Sequence, residues 1–250
     1  MKKIFAIGGG EIAKPLGSEK DTTEIDKTLI KLTGLKNPKL LFISTASSDA
    51  PGYVENVKKH FGKRLKCQVD TLELLKNKYS KKELSEKVLE SNIIYVGGGN
   101  TAMMLKVWKK YGVDKLLEKA YKKGIVLAGL SAGSICWFKY GSSDSKRFTD
   151  PSAPLIRVPA LNFIKFGHCP HHNQRKSKND SLESIIKKKN DVAIAIDDCC
   201  AIEVIDDTYK IISTKKGGKA YKIYWKNNTL CEDEIKKDKN YKPLKELLNL

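Results

Sequence analysis

Short apolar runs alternate with amphipathic stretches along the first half of the chain. Ile4–Ile7, Leu40–Ser44, Val69–Leu72, Ile93–Val96 and Ile125–Leu130 have the length and apolar character of buried strands. Between them, Ile25, Leu29 and Leu32 recur at helical spacing behind a cap at Asp21 or Thr22. Gly52 to Lys63 predicts a helix opened near Pro51, and Lys81–Glu90 a polar helix with Leu84, Val88 and Leu89 on its inner side. A further helix after Val96 carries Met103, Leu105 and Trp108. Strand, helix, strand in this order predicts an α/β fold: a mostly parallel sheet in a three-layer sandwich. Ligands of such sheets sit at the carboxyl ends of the strands. Gly8-Gly9-Gly10, Gly97-Gly98-Gly99 and Ser131 all fall at such ends.

Beyond residue 137 the pattern changes. Lys139 to Pro154 reads as a polar loop, followed by apolar segments around Ile156 and Asn162–Phe166. A helix is expected from about Asp180 to Lys188, then strands at Val192–Ile196 and Ala201–Ile205. Tyr209–Ser213 and Ala220–Trp225, with a turn near Gly217-Gly218, read as a small antiparallel C-terminal extension. There is no internal repeat and no composition break, so residues 1–250 are expected to form a single domain.

The net charge of +18 comes almost entirely from lysine; Arg64, Arg147, Arg157 and Arg175 are the arginines. The lysines are dispersed and not interleaved with aromatics, and no arginine cluster suited to base edges is visible. No specific nucleic-acid partner is therefore expected, although a polyanion-binding protein on a dead hydrolase scaffold is an alternative. No apolar run approaches the roughly 20 residues of a membrane span, and the apolar part of the N-terminus is too short for a signal peptide. Cys67, Cys136, Cys169, Cys199, Cys200 and Cys231 show no C-x-x-C spacing and read as reduced thiols of a cytoplasmic protein without a metal site.

The chemistry is concentrated at Gly129-Leu130-Ser131-Ala132-Gly133, which follows an apolar strand and opens a helix-compatible run. This is the G-x-S-x-G form of a nucleophile elbow. A serine hydroxyl needs a base to take its proton and a third group to orient that base. Of the four histidines, His60 lies on a lysine-rich helix and reads as a surface residue, whereas His168, His171 and His172 crowd one strand end. The orienting acid is Asp144 or Asp198, and residue chemistry leaves that choice open. Ala132 N–H and the Gly97-Gly98-Gly99 turn can supply two oxyanion donors, each worth roughly 3 kcal/mol in the transition state.

Tyr95-Val96-Gly97-Gly98-Gly99-Asn100-Thr101, the segment Leu127–Ser134, and Cys169-Pro170-His171 resemble peptidase E, the aspartyl dipeptidase family of serine peptidases that includes cyanophycinase. The resemblance implies a flavodoxin-like fold similar to class I glutamine amidotransferases, with serine in place of their cysteine. It implies Ser131 as nucleophile, His171 as base, Asp144 or Asp198 as acid, and Gly98 and Ala132 as oxyanion donors. Arg175 is the candidate for the arginine that holds a substrate's N-terminal Asp, with Gly99 and Asn100 beside the substrate. The segment after the histidine is shortened here, which separates Arg175 from the family pattern. The expected activity is hydrolysis of short peptides, among them dipeptides with N-terminal Asp, without cofactor, by a monomer or dimer. The alternative within the same chemistry is another serine hydrolase, an esterase or a cyanophycinase-like enzyme. In α/β-hydrolase esterases the histidine follows the later strands, whereas here strands follow it.

Overall fold

Apolar residues in the first strands alternate between two buried faces, and that alternation organises the molecule. The computed structural model describes residues 1–175, 180–186, 191–214 and 217–248. The strands are β1 (Lys3–Ile7), β2 (Lys39–Ile43), β3 (Gln68–Leu72), β4 (Ile93–Val96) and β5 (Val126–Leu130), then β6 (Phe138–Ser143), β7 (Ile156–Pro159), β8 (Ile164–Cys169) and β9 (Val192–Ile196). They continue as β10 (Cys200–Ile205), β11 (Thr208–Ser213), β12 (Ala220–Lys226), β13 (Thr229–Glu234) and β14 (Lys242–Pro243). The helices are α1 (Thr23–Lys31), α2 (Pro51–Val57), α3 (Lys81–Leu89), α4 (Thr101–Tyr111), α5 (Val113–Lys123) and the single turn α6 (Ala132–Ile135).

The larger sheet has the order β14-β11-β10-β1-β5-β4-β2-β3. Its β1, β5, β4, β2 and β3 are parallel, and β10, β11 and β14 add antiparallel strands beyond β1. Phe5, Ile7, Phe42 and Tyr95 pack with Ile25 and Leu29 of α1 and Val54 and Val57 of α2. Their sequence neighbours Ile4, Ala6, Ile43, Ile94 and Val96 pack on the opposite face with Trp108 of α4 and Leu117 of α5. Period-two alternation with both faces buried is what a covered parallel sheet requires. The fold is α/β, as the pattern predicts.

A second sheet runs β13-β12-β9-β8-β6-β7. Val192, Ile194 and Ile196 of β9 join the main core, while Ala193 and Ala195 face a separate cluster with Tyr140, Leu182, Ile185 and Ile186. Four expectations change here. The stretch read as a polar loop from Lys139 contains β6, whose Gly141, Ser142 and Ser143 are buried. A side chain at Gly141 would lie 2.4 Å from Ile135 Cγ2, so small residues are dictated by close packing, and their polarity hides the strand. The expected helix from Asp180 is, over 180–186, a pair of turns in which Ile185 and Ile186 N–H both donate to Leu182 C=O. The spacing of Leu182, Ile185 and Ile186 suits either a helix or a folded turn, and Lys187-Lys188-Lys189 lie outside the described residues. The Gly52–Lys63 helix stops at Val57 and continues as a π-helical segment, Lys58–Arg64, which turns His60 inward. The strands at Tyr209 and Ala220 are antiparallel as expected, but β11 extends the larger sheet and β12 the second.

Candidate active site

The elbow is built by close approach of three backbones. β5 ends at Leu130 and α6 begins at Ala132, so Ser131 takes the whole change of direction, at φ 57° and ψ −115°. A non-glycine residue there is strained, and surrounding contacts must hold it. Ser131 N–H donates to Ile7 C=O at 3.1 Å, while Ser131 C=O accepts from Ser134 and Ile135 N–H. A Cβ on Gly129 would lie 2.2 Å from Gly133 O, and one on Gly133 would lie 2.0 Å from Val96 O. Both glycines of the motif are thus required sterically.

His171 enters from the second sheet, just beyond β8. It occupies a left-handed conformation (φ 51°, ψ 40°), and its N–H donates to Gly8 C=O at 3.2 Å, tying it to the end of β1. Its Nδ1 lies 2.7 Å from Asp198 Oδ1. Asp198 sits in the crossing from β9 to β10, where the chain passes from one sheet to the other, and Gly9 bridges to it. Burial pushes the Asp198 carboxyl up, but hydrogen bonds from His171 and Gln174 and the charge of Lys20 outweigh this and hold it below the usual carboxylate range. An ionised carboxylate on Nδ1 places the exchangeable ring nitrogen, Nε2, at the free side of the imidazole.

Asp144 lies elsewhere. It is exposed and stands at the start of the 3-10 turn Ser145–Phe148, where its C=O accepts from Arg147 N–H at 2.7 Å, while its carboxylate makes no hydrogen bond or ion pair with a described residue. Ser131, His171, Asp144, Gln174 and Arg175 line one cavity of about 270 Å³. No hydrogen bond joins Ser131 Oγ to His171, a contact that often tightens only with substrate bound. Of the backbone donors, Gly98 N–H points to Tyr53 Oη at 3.3 Å. Neither Ala132 nor Gly99 N–H has a hydrogen-bond partner among the described residues, and a Cβ on Gly98 would lie 3.3 Å from Ser131 Cβ.

Residues 4–212 match peptidase family S51. The chain belongs to that family. It is 34% identical over 234 residues to YgaJ, an uncharacterized peptidase of Bacillus subtilis, covering 93% of this chain and 96% of the relative. An uncharacterized peptidase of Listeria monocytogenes is 29% identical over 181 residues, with 71% of this chain and 82% of the relative covered. The crystal structure of a peptidase from an acI-B1 actinobacterium superposes with a TM-score of 0.72 over 97% of both chains at 17% identity, a likeness of fold. This S51 protein is therefore a peptidase, and the family supports the serine type that the elbow indicates.

The other histidines of the S51 peptidase have separate tasks. His168 is buried in β8, stacked on Phe138 at 4.4 Å. Its Nδ1 lies 2.9 Å from Ile194 C=O, which can only accept, so the proton sits on Nδ1 and Nε2 faces Ser134 Oγ at 2.8 Å. Burial lowers its pKa to about 3, so the ring is neutral. His172 lies 3.1 Å from Glu232 of β13 and packs against Tyr221 of β12, anchoring the turn that follows His171. His60 is not a surface residue. It is 1% exposed, accepts from Ala13 N–H at Nδ1 and donates from Nε2 to buried Asp26 at 2.8 Å. Asn100, expected beside the substrate, caps α4: its Oδ1 accepts from Met103 N–H and its Nδ2 donates to Ser145 C=O. Arg175 does line the cavity, with its guanidinium donating to Ser142 Oγ, Pro170 C=O and Asp180 C=O.

Four residues at the site escaped sequence reasoning. Gly9 lies against the His171–Asp198 pair, Tyr53 engages Gly98, and Gln174 and Asn173 touch Asp198. Thr101 can be added to them: it lines the cavity with a buried hydroxyl that has no partner among the described residues. Only the triple glycine at the end of β1 carried a visible signal.

Among the described residues, no helix is long and apolar enough to cross a membrane.

Proposed function

We propose that the chain is a serine exopeptidase acting on short peptides with a free N-terminus, with Ser131, His171 and Asp198 as its triad. The observation that carries this reading is the 2.7 Å contact between His171 Nδ1 and Asp198 Oδ1, beside a strained elbow serine in one cavity. Ser131 Oγ attacks the scissile carbonyl as His171 Nε2 takes its proton. The resulting oxyanion is held by Ala132 N–H and the Gly98–Gly99 turn. Collapse breaks the C–N bond, His171 passes the proton to the leaving amine, and water then hydrolyses the acyl-enzyme by the same route.

A cavity of about 270 Å³ falls below the roughly 300–1,000 Å³ of common ligand pockets and suits a dipeptide better than a folded chain. Asp144, an exposed carboxylate on the cavity wall, fits the ammonium of a peptide N-terminus. Arg175, held in place by three hydrogen bonds, fits an acidic side chain at the first position and makes N-terminal Asp the favoured residue. The test is a panel of Asp-X, Glu-X, neutral and N-acetylated dipeptides. Wild type is expected to cleave Asp-X and to spare the acetylated forms. Ser131→Ala is expected to lose about 10,000-fold or more in kcat, and Asp144→Asn to raise KM for free N-termini. Cleavage of simple esters without any dipeptide turnover would overturn the reading.

A further inference from the structure

The acid of the proposed triad is held by the same short turn that presents the histidine. His171 is followed directly by the 3-10 turn His172–Gln174. Gln174 Nε2 donates to Asp198 Oδ2, the oxygen that His171 does not use. Asn173 Oδ1 accepts from Asp198 N–H at 3.0 Å. The turn is itself fixed, since His172 contacts Glu232 and Tyr221 on the hairpin of β12 and β13. The Asp198 carboxylate is thereby gripped at both oxygens by residues 171 and 174, and its backbone by residue 173.

We infer that Gln174 is a positioning residue of this enzyme, holding the Asp198 carboxylate in the rotamer that keeps Oδ1 on His171 Nδ1. The inference rests on the triad proposed above. A carboxylate with one oxygen unbound can rotate about its terminal torsion, a broad and soft coordinate, and can exchange its histidine contact for water. A second donor on Oδ2 removes that freedom. The other charged groups near the pair are Lys20, from the loop after β1, and Asp197, whose Oδ2 is turned away and accepts from Lys219 N–H. Neither of them bonds to Oδ2 of Asp198, so among the described residues Gln174 alone carries this task. Its outer side is exposed, and the substitution leaves the core untouched.

The test compares Gln174→Leu, which keeps the bulk and removes the donor, with Gln174→Ala and with Asp198→Asn as reference. Two readouts are taken: steady-state hydrolysis of a dipeptide substrate, and the low-field proton resonance of His171 Nδ1–H, assigned by its loss in His171→Gln. Both Gln174 variants are expected to lower kcat by about tenfold, the equivalent of one charge-assisted hydrogen bond. KM should stay within about twofold, since the triad acts on the chemical step rather than on binding. The Nδ1–H resonance is expected to broaden or vanish, as in Asp198→Asn, with the thermal midpoint unchanged. A resonance that persists at its wild-type position and width in both variants overturns the inference. If wild type hydrolyses no peptide, the peptidase triad is lost as a reading, and the resonance still decides whether Gln174 holds the pair.

Discussion

Gly9 lacks a side chain, and the space where one would sit is taken. A Cβ there would lie 1.9 Å from Asp198 Oδ1 and 2.3 Å from His171 Nδ1. The glycine at the end of β1 is therefore the floor on which the histidine and its acid meet. Gly9→Ala must displace one of them, and a misplacement of about 1 Å is enough to cost about 100-fold in turnover. We expect Gly9→Ala to lower kcat by at least that factor while the protein remains folded by circular dichroism. Wild-type kcat in this variant would mean that the pair tolerates separation. The same residue-scale logic separates the two aspartates. Asp198 contacts the imidazole and Asp144 stands free on the cavity wall, so Asp198→Asn is expected to cost roughly 1,000- to 10,000-fold in kcat.

At the scale of elements, each strand end brings one part of the proposed site. β4 delivers the Gly97–Gly99 turn, β5 the serine, β8 the histidine, and the β9–β10 crossing the acid. The loop after β1 lies against all of this and is pinned from behind. Ala13 N–H is bound by His60, and His60 by Asp26, in a fully buried hydrogen-bonded pair between α1 and the π-helical segment. Burial drives the Asp26 carboxyl upward, and the hydrogen bonds from His60 and Thr22 pull against it. Removing one member of such a pair strands the other in the core. His60→Ala is expected to cost about 3–5 kcal/mol of stability by urea denaturation. A loss under about 1 kcal/mol would show that the pair is not holding the loop.

For the whole molecule, the decisive feature is that the site straddles two sheets. Ser131 belongs to the larger and His171 to the second, so their alignment depends on how the sheets are joined. His168 ties β8 to Ser134 of the elbow helix and to Ile194 of β9. This tie requires a neutral ring. The folded pKa of about 3 lies below the roughly 6.5 of an unfolded histidine. Between those values the unfolded chain binds one more proton, so His168 costs stability as pH falls below about 6.5. The unfolding free energy of the wild type is expected to decline with a contribution of about 1.4 kcal/mol per pH unit from this group, and His168→Gln to remove that contribution between pH 6 and 5. Equal slopes in the two proteins would contradict it.

The parallel half of the fold was legible in the sequence because its signals are local. Buried strands, amphipathic helices and the glycines of the elbow follow from side-chain periodicity and from where a Cβ can fit. Ser131, the histidine cluster and two candidate acids were legible for the same reason, since each is a residue type with few other uses at a strand end. The choice between Asp144 and Asp198 as partner of His171 was not. It depends on which carboxylate the β9–β10 crossing brings within hydrogen-bonding distance, a matter of chain path between two sheets. The second sheet was concealed by the small polar residues of β6, and the inward turn of His60 by a helix that widens to π geometry after Val57. Local pattern determined which residues could do chemistry. Long-range packing decided which of them meet, because a contact between residues 27 positions apart leaves no periodic trace in the chain that makes it.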